Sequence, residues 1–294
     1  LDLKENEWVW TSPNSFVASA NAALYCGAKV DFVDIDDSTY NMSASKLEEK
    51  LEIAKKNNLL PKILIVVHFA GQSCDMEKIY KLSKEYNFNI IEDASHAIGG
   101  KYKGEKIGNC KYSSITVFSF HPVKIITTAE GGVATTNSKT IAEKMRMDRS
   151  HGIYRITEDQ GTQNSDEIWN YKQERLGFNY RLNDLQCALG LSQLKRLDIF
   201  LEKRHKIANV YNKNLANLGI QLPYQSPNIY SSYHLYPIRV SEKKGGVNQK
   251  NLYSFLRENK ILVNLHYIPI YRQPYFQKLG FKRGYCIKSE DHFK

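Results

Sequence analysis

Residues 61–93 read PKILIVVHFAGQSCDMEKIYKLSKEYNFNIIED, and this stretch decides the fold class. The apolar run Lys62–His68 predicts a buried strand, and Asn89–Glu92 predicts a second one. Between them, Asp75–Tyr86 has the apolar spacing of an amphipathic helix. Two buried strands joined by a helix are typical of a crossover unit in a parallel sheet.

The same alternation continues on both sides of this unit. Further predicted strands are Trp8–Thr11, Val30–Asp34, Ser114–Phe120, Gly132–Thr136, Ser232–Val240 and Ile261–Tyr267. Further predicted helices are Ser15–Cys26, Ser43–Lys56 with Ser43 as N-cap, Leu182–Tyr211 and Asn248–Asn259. The polar residues 150–175 predict a loop. We therefore predict an α/β protein with a mostly parallel large domain over residues 1–200 and a small α+β domain over residues 201–294.

The composition is that of a globular protein without a membrane span. Of the 294 residues 42% are hydrophobic and 24% charged, and no run has the length of a transmembrane helix or the pattern of a signal peptide. The five cysteines form no C-x-x-C pair, so we expect no zinc or other metal, and free thiols in the cytoplasm. The net charge of +10 would suit an anionic partner, but lysines alternate with acids, as in Lys46–Lys50. A solvated surface is favoured, and we expect neither a nucleic-acid nor a membrane partner.

One lysine lies in a loop of mainly small residues between two predicted strands. Residues 119–132 read SFHPVKIITTAEGG, with the lysine at position 124. Rigid flanks can remove solvent from a lysine, which lowers the pKa of its amine and allows it to form a Schiff base with an aldehyde. The alternative is an ordinary surface lysine, the commoner case among 41 Lys and Arg residues.

Asp93 ends a predicted strand and is followed by the small residues of the sequence ASHAIGG. A buried aspartate is costly unless it meets a cation or a hydrogen-bond donor. A protonated pyridine nitrogen is a suitable partner, since the pairing keeps the ring able to withdraw electrons. The alternative is a helix N-cap.

Four motifs together carry a family resemblance: Asp93 with its small-residue loop, Ser119-x-His121-Pro122-x-Lys124, Glu130-Gly131-Gly132 and GFNYR at 177–181. They resemble the DegT-type sugar aminotransferases, which are fold-type I pyridoxal phosphate enzymes, and the resemblance runs from about Trp8 to Phe293. It implies the aspartate aminotransferase-like fold, a PLP-dependent transferase fold, with pyridoxal 5′-phosphate as cofactor. Within the family, the motif sequences most resemble those of the transaminases of pseudaminic acid synthesis, which belongs to polysaccharide biosynthesis. These move the amino group of L-glutamate to C4 of a UDP-4-keto-6-deoxy-N-acetylhexosamine.

The resemblance also implies residue roles. Lys124 is the expected Schiff-base lysine and proton shuttle, and Asp93 the partner of the pyridine nitrogen. Further cofactor contacts are expected at the ring, where Phe16 would stack on one face and His96 would lie beside the hydroxyl group. Ser119 would bind the cofactor phosphate, and Asn179 would bind the phosphate in the active site of the partner subunit. Asn179 would make the active site composite and a homodimer obligatory. Candidate substrate-binding residues are His151, Arg181 and Tyr267. The alternatives are core packing for Phe16 and His96 and an interface ion pair for Arg181.

Other functions remain open at this point. The substrate could be another keto sugar, linked to dTDP or GDP and aminated at C3 or C4. The protein could also be a binding protein and not an enzyme, namely a non-catalytic homologue that binds nucleotide sugars. Such a protein would need neither Lys124 nor Asp93. A sugar-dehydrating branch of the family carries histidine in place of the lysine, so Lys124 argues against that branch.

The resemblance implies that the chain is truncated at both ends. Family members carry a Gly-Thr turn that cradles the cofactor phosphate upstream of the segment matching Leu1–Thr11, and a terminal segment beyond Lys294 that completes the small domain. We therefore expect weak cofactor affinity, and a 294-residue chain that folds poorly or lacks activity.

Overall fold

The computed structural model describes residues 1–154, 171–240 and 247–294. Most of the predicted loop 150–175 lies outside these residues. The strands are β1 (Trp8–Thr11), β2 (Lys29–Phe32), β3 (Pro61–Val67), β4 (Asn89–Asp93), β5 (Lys101–Tyr102), β6 (Glu105–Lys106), β7 (Ile115–Ser119), β8 (Gly132–Thr135), β9 (Ile153–Tyr154), β10 (Lys172–Gln173) and β11 (Ile229–Tyr230). The α-helices are α1 (Ala18–Tyr25), α2 (Ala44–Lys56), α3 (Met76–Tyr86), α4 (Lys139–Asp148), α5 (Asp184–Leu194), α6 (Leu197–Leu215), α7 (Gln249–Glu258), α8 (Pro274–Lys278) and α9 (Ile287–Phe293).

A six-stranded sheet in the order β2-β1-β3-β4-β7-β8 forms the centre of the molecule. The strands β2, β1, β3, β4 and β7 run parallel, and β8 is antiparallel to β7. This is the mostly parallel sheet that the alternating pattern predicts. The carboxyl ends of the parallel strands therefore lie along one edge, where ligands of such sheets bind.

The apolar run of β3 is continuous because both faces of the sheet are covered. Leu64 and Val66 point to a core formed with α2 and α3, whereas Ile63 and Ile65 point to a core formed with α1 and the aromatic side chains of the C-terminal segment. Successive strand residues face opposite sides, so alternate residues fill the two cores. Among these aromatics, Tyr271 is fully buried.

Local signals set most element ends correctly. Ser43 caps α2 as predicted, since its side chain accepts a hydrogen bond from the N–H of Lys46 at 3.3 Å. The helix predicted from Ser15 begins at Ala18 instead, which leaves Ser15 and Phe16 in the loop that follows β1.

The predicted single helix Leu182–Tyr211 is wrong, because two helices, α5 and α6, occupy this segment. The chain turns at Lys195 and Arg196, and Leu197 and Leu201 then pack against the buried Ile125 and Ile126. The reorientation thus brings the leucines of α6 onto the loop that carries Lys124. The predicted domain boundary at residue 200 falls inside α6 and stays a prediction.

Two further strand predictions, Ser232–Val240 and Ile261–Tyr267, are also wrong. Arg239 forms an isolated antiparallel bridge with Gln221, and other backbone groups of these segments bond to a turn or to a side chain. The N–H groups of Ser232 and Leu235 donate to the carbonyls of a turn at Ala70 and Gly71, and the N–H of Tyr267 donates to the side chain of Asn14. These segments therefore cover the carboxyl edge of the sheet. Within the described ranges, no helix is both long enough and apolar enough to cross a membrane.

Candidate active site

The candidate site lies at the carboxyl edge of the sheet. Strands β1, β3, β4 and β7 end there at Thr11, Val67, Asp93 and Ser119. The loops that leave these ends carry most of the residues predicted to bind the cofactor. The parallel topology therefore brings together side chains that lie far apart in the sequence.

Asp93 is half-buried and accepts hydrogen bonds on both carboxylate oxygens. Its Oδ2 accepts from the hydroxyl of Ser19 at 2.7 Å. Its Oδ1 accepts from the N–H of Ser95 at 3.1 Å and from the Ser95 hydroxyl at 2.6 Å. These donors stabilise a negative charge at the end of β4 and hold the carboxylate in one orientation.

Lys124 lies in a loop whose backbone is held at several points. The N–H of Phe120 donates to Gly131, the N–H of Lys124 donates to His121, and Ile125 and Ile126 are buried beneath the loop. Burial lowers the pKa of the Lys124 amine, and the nearby charge of Asp93 works in the opposite direction. The site thus pairs a carboxylate with an amine that gives up its proton more readily than an ordinary lysine does.

His96 is buried beside these two groups and has a defined tautomer. The N–H of Ala70 donates to Nδ1 of His96 at 3.3 Å, so the proton of the neutral ring sits on Nε2. Nε2 approaches the Tyr267 hydroxyl at 3.5 Å. Burial lowers the pKa of His96 to about 3, with the charges of Lys124 and His266 adding to the effect. His96 is therefore an uncharged N–H donor at neutral pH.

The turn that carries Ala70 is locked in an unusual conformation. Ala70 has a φ of 57°, in the left-handed region that residues other than glycine avoid. The side chain of Asn41 accepts from the N–H of Phe69 at 2.8 Å and donates to the carbonyl of Gln72 at 3.0 Å. This buried amide holds both ends of the turn and so aims the Ala70 N–H at His96.

A buried pair of side chains supports the start of the same turn. His68 Nδ1 accepts from the N–H of Cys74, so its other nitrogen carries the proton and donates to Glu92 at 2.8 Å. Ser113 and Thr116 also donate to Glu92. Burial works to raise the pKa of Glu92, but the hydrogen bond from His68 and those from the two hydroxyls outweigh it, and the pKa is lowered. Glu92 is therefore ionised next to Asp93 in the chain.

Two histidines of the site were not assigned from the sequence. His234 packs on His96 with 4.4 Å between ring centroids, and its Nδ1 is buried without a hydrogen-bond partner among the described residues. Burial lowers the pKa of both His234 and His266. Both lie in the segments predicted as strands, and the alternating pattern that suggested strands gave no sign that these rings face Lys124.

The other predicted cofactor-binding and substrate-binding residues divide into two groups. Tyr267 lies beside His96, Ser119 ends β7, and Phe16 is 64% exposed in the loop after β1, all at the carboxyl edge. His151, Asn179 and Arg181 are exposed and belong to a neighbouring region. There the N–H of His151 donates to Phe178, and Asn179 pairs with Ser150. The hydrogen bonds of the described residues join this second group to the end of α4 and not to Asp93 or Lys124.

The residues present fit pyridoxal phosphate. Asp93 offers a fixed carboxylate for a protonated ring nitrogen, Lys124 offers an amine with a lowered pKa for an aldehyde, and His96 offers a neutral donor for a phenolic oxygen. Within the described residues, no three His, Cys, Asp or Glu side chains come together as they would around a metal ion.

The chain is similar to known sugar aminotransferases. The chain is 41% identical over 276 residues to the UDP-4-amino-4,6-dideoxy-N-acetyl-beta-L-altrosamine transaminase of Campylobacter jejuni serotype O:2, covering 92% of this chain and 68% of the relative. The structure superposes with a TM-score of 0.88 on Helicobacter pylori PseC, an aminotransferase involved in the biosynthesis of pseudoaminic acid, at 32% identity and covering 100% of this chain and 74% of that one.

A second solved structure bears on the cofactor. The sugar aminotransferase Spr1654 of Streptococcus pneumoniae in its PLP-form matches with a TM-score of 0.83 at 25% identity, covering 99% of this chain and 74% of that one. These matches confirm the predicted PLP-dependent transferase fold and pyridoxal phosphate cofactor. The model of the DegT/DnrJ/EryC1/StrS aminotransferase family matches residues 1–294, and the chain belongs to this family.

Proposed function

We propose that this protein is a nucleotide-sugar aminotransferase that moves the amino group of L-glutamate to C4 of a UDP-4-keto-6-deoxy-N-acetylhexosamine. The observation that carries the aminotransferase chemistry is the juxtaposition of Lys124, whose pKa is lowered by burial, with Asp93. The choice of sugar and nucleotide is supported by the 41% identity to the Campylobacter jejuni transaminase.

When bound, pyridoxal phosphate supplies an aldehyde carbon and an electron-withdrawing ring. Lys124 would hold that aldehyde, and its amine, once free, would take the proton from the α-carbon of glutamate and later give it back. Asp93 would hold the ring nitrogen in its protonated form. His96 donates through Nε2 and, because it stays uncharged, adds no positive charge that would compete with the Lys124 amine.

We also propose that the protein acts as a homodimer in which Asn179 reaches the partner's phosphate site. Asn179 stands between Phe178 and Tyr180, whose exposed rings stack on each other with centroids 4.7 Å apart. An exposed aromatic pair of this kind suits a protein interface. The interface would explain why Asn179 and Arg181 lie apart from Asp93 within one chain.

The proposed function is tested by supplying the purified full-length gene product with pyridoxal phosphate, L-glutamate and UDP-, dTDP- or GDP-linked 4-keto sugars. We expect amination of the UDP sugar, detected by mass spectrometry, and its loss in Lys124→Ala. Lys111→Ala is the control, since Lys111 is exposed and its amine contacts Glu105 at 2.6 Å and the Tyr112 ring, away from the candidate site. A preference for dTDP or GDP sugars would refute the nucleotide assignment. Full activity in Lys124→Ala would refute the chemistry.

A further inference from the structure

Of the three hydrogen bonds that the Asp93 carboxylate accepts from the described residues, one has no local explanation. The two bonds from Ser95 close a tight turn two residues ahead, as aspartates commonly do. The bond from Ser19 comes from a residue 74 positions away, in the first turn of α1. It joins the start of α1 to the end of β4.

Ser19 is itself hydrogen-bonded to a second buried hydroxyl. The Oγ atoms of Ser15 and Ser19 are 2.9 Å apart, and the two residues are 4% and 5% exposed. The carboxylate can only accept, so the Ser19 proton points at Asp93 and Ser15 must donate to Ser19. The direction of both bonds is thereby set. Hydroxyls linked in this way polarise each other and bind the anion more firmly than one alone.

The two serines also bracket Phe16, the residue predicted to stack on the cofactor ring. Phe16 is 64% exposed, although its neighbours Ser15 and Ser19 are buried. The loop that presents this ring is therefore attached to the carboxylate through the hydroxyls. One short chain of hydrogen bonds sets the position of both Phe16 and Asp93 at the edge of the sheet.

We propose that Ser15 and Ser19 are positioning residues of the aminotransferase. Their linked hydroxyls fix Asp93 in the orientation needed to hold a protonated pyridine nitrogen, and they fix the position of the Phe16 loop relative to Asp93. This inference rests on the proposed function. Neither serine is a catalytic residue, because both act through Asp93.

The test compares Ser19→Ala, Ser19→Thr and Ser83→Ala with the unaltered protein. Ser83 is the matched control, since it is also 5% exposed and its hydroxyl bonds the carbonyl of Tyr80 within α3. Two quantities are measured: the dissociation constant of pyridoxal phosphate, and the nitrogen-15 resonance of the bound cofactor labelled at the ring nitrogen. The second reports protonation of the ring, which a general loss of stability would not change.

For Ser19→Ala we expect about a tenfold rise in the dissociation constant, the low end for a bond to a charged group because Ser95 still holds the other oxygen. We also expect the nitrogen resonance to move towards its unprotonated position. Ser19→Thr should restore both quantities, and Ser83→Ala should change neither. Ser15→Ala, which keeps the bond to Asp93, should shift both in the same direction by a smaller amount, and it is the test variant if Ser19→Ala does not fold.

An unchanged nitrogen resonance in Ser19→Ala, or an equal effect in Ser83→Ala, would overturn the inference. The inference would also be overturned if Ser19→Thr did not restore the dissociation constant and the nitrogen resonance. If the unaltered protein takes up no pyridoxal phosphate at all, the proposed function itself fails. The two failures are thus distinguishable.

Discussion

The buried pair of His68 and Glu92 should contribute far more to stability than a surface pair of the same length. His68 Nε2 and Glu92 Oε2 are 2.8 Å apart with side chains 0% and 7% exposed. Lys46 Nζ and Glu49 Oε2 are 2.7 Å apart with side chains 47% and 60% exposed. The distances are almost equal, so a difference in their contributions must come from the surroundings.

Among the described residues, His68→Ala leaves the buried Glu92 carboxylate with the hydroxyls of Ser113 and Thr116 as its donors. Removing one partner of a buried pair costs about 3–5 kcal/mol, and the two remaining donors place this case near 3 kcal/mol. Lys46→Ala, at the exposed pair, should cost less than about 1 kcal/mol. At about 2 °C per kcal/mol for a chain of this size, His68→Ala lowers the melting temperature by about 6 °C.

Urea denaturation of His68→Ala, Glu92→Gln and the double variant gives the coupling between the two side chains. We expect the double variant to be more stable than the sum of the single losses predicts, by about 1–3 kcal/mol, because Glu92→Gln removes the charge that His68→Ala leaves unpaired. Additive losses, or a cost for His68→Ala as small as that for Lys46→Ala, would refute this explanation.

The pH dependence of the same variants provides a second check. A carboxyl whose pKa is lowered on folding stabilises the folded protein above its unfolded pKa, and that contribution is lost as the pH falls through the folded pKa. The pKa of Glu92 is lowered from its ordinary value of 4.5. The stability advantage of the unaltered protein over Glu92→Gln should therefore be constant at neutral pH and shrink as the pH falls below about 4.5.

Two further predictions concern the turn beside His96. A Cβ at Gly71, where φ is +102°, would lie 2.2 Å from the Ser232 hydroxyl and 2.9 Å from the His96 carbonyl, so Gly71→Ala should cost more than about 2 kcal/mol in urea denaturation. Gly104→Ala is its control, with φ +81° and no atom within 4 Å, and should show only the backbone cost of about 1 kcal/mol; equal losses would mean that the close contacts are unimportant. For His96, whose pKa is lowered to about 3, the ring resonances in NMR should stay at their neutral positions from about pH 8 to about pH 5, with the proton on Nε2. An inflection near 6.5 would contradict its burial beside Lys124.

Strand ends were the most predictable part of the site. The alternation of apolar runs and amphipathic helices identifies where parallel strands stop to within one residue. The strands predicted to end at Glu92 and Phe120 end at Asp93 and Ser119. Lys124 follows the second of these ends within a short loop, so its place near Asp93 follows from topology. A local pattern was sufficient here because the carboxyl ends of parallel strands lie along one edge of the sheet, so residues that follow these strands lie near one another.

The rest of the site depends on contacts between distant segments. Ser19 meets Asp93, and His234 meets His96, only after separate elements have packed together. The segment around His234 alternates like a strand, but its N–H groups bond to the turn at Ala70 and Gly71. Periodicity reports which residues share a face and does not report which partner that face meets, so these contacts could not be predicted.

The central claim is that Lys124, and no other lysine, carries the cofactor. The most direct measurement is to treat the protein with pyridoxal phosphate, reduce with borohydride, digest it and locate the modified lysine by mass spectrometry. The structure predicts modification at Lys124, abolished in Lys124→Ala and unaffected in Lys111→Ala. Modification spread over the exposed lysines, and unchanged in Lys124→Ala, would contradict the account.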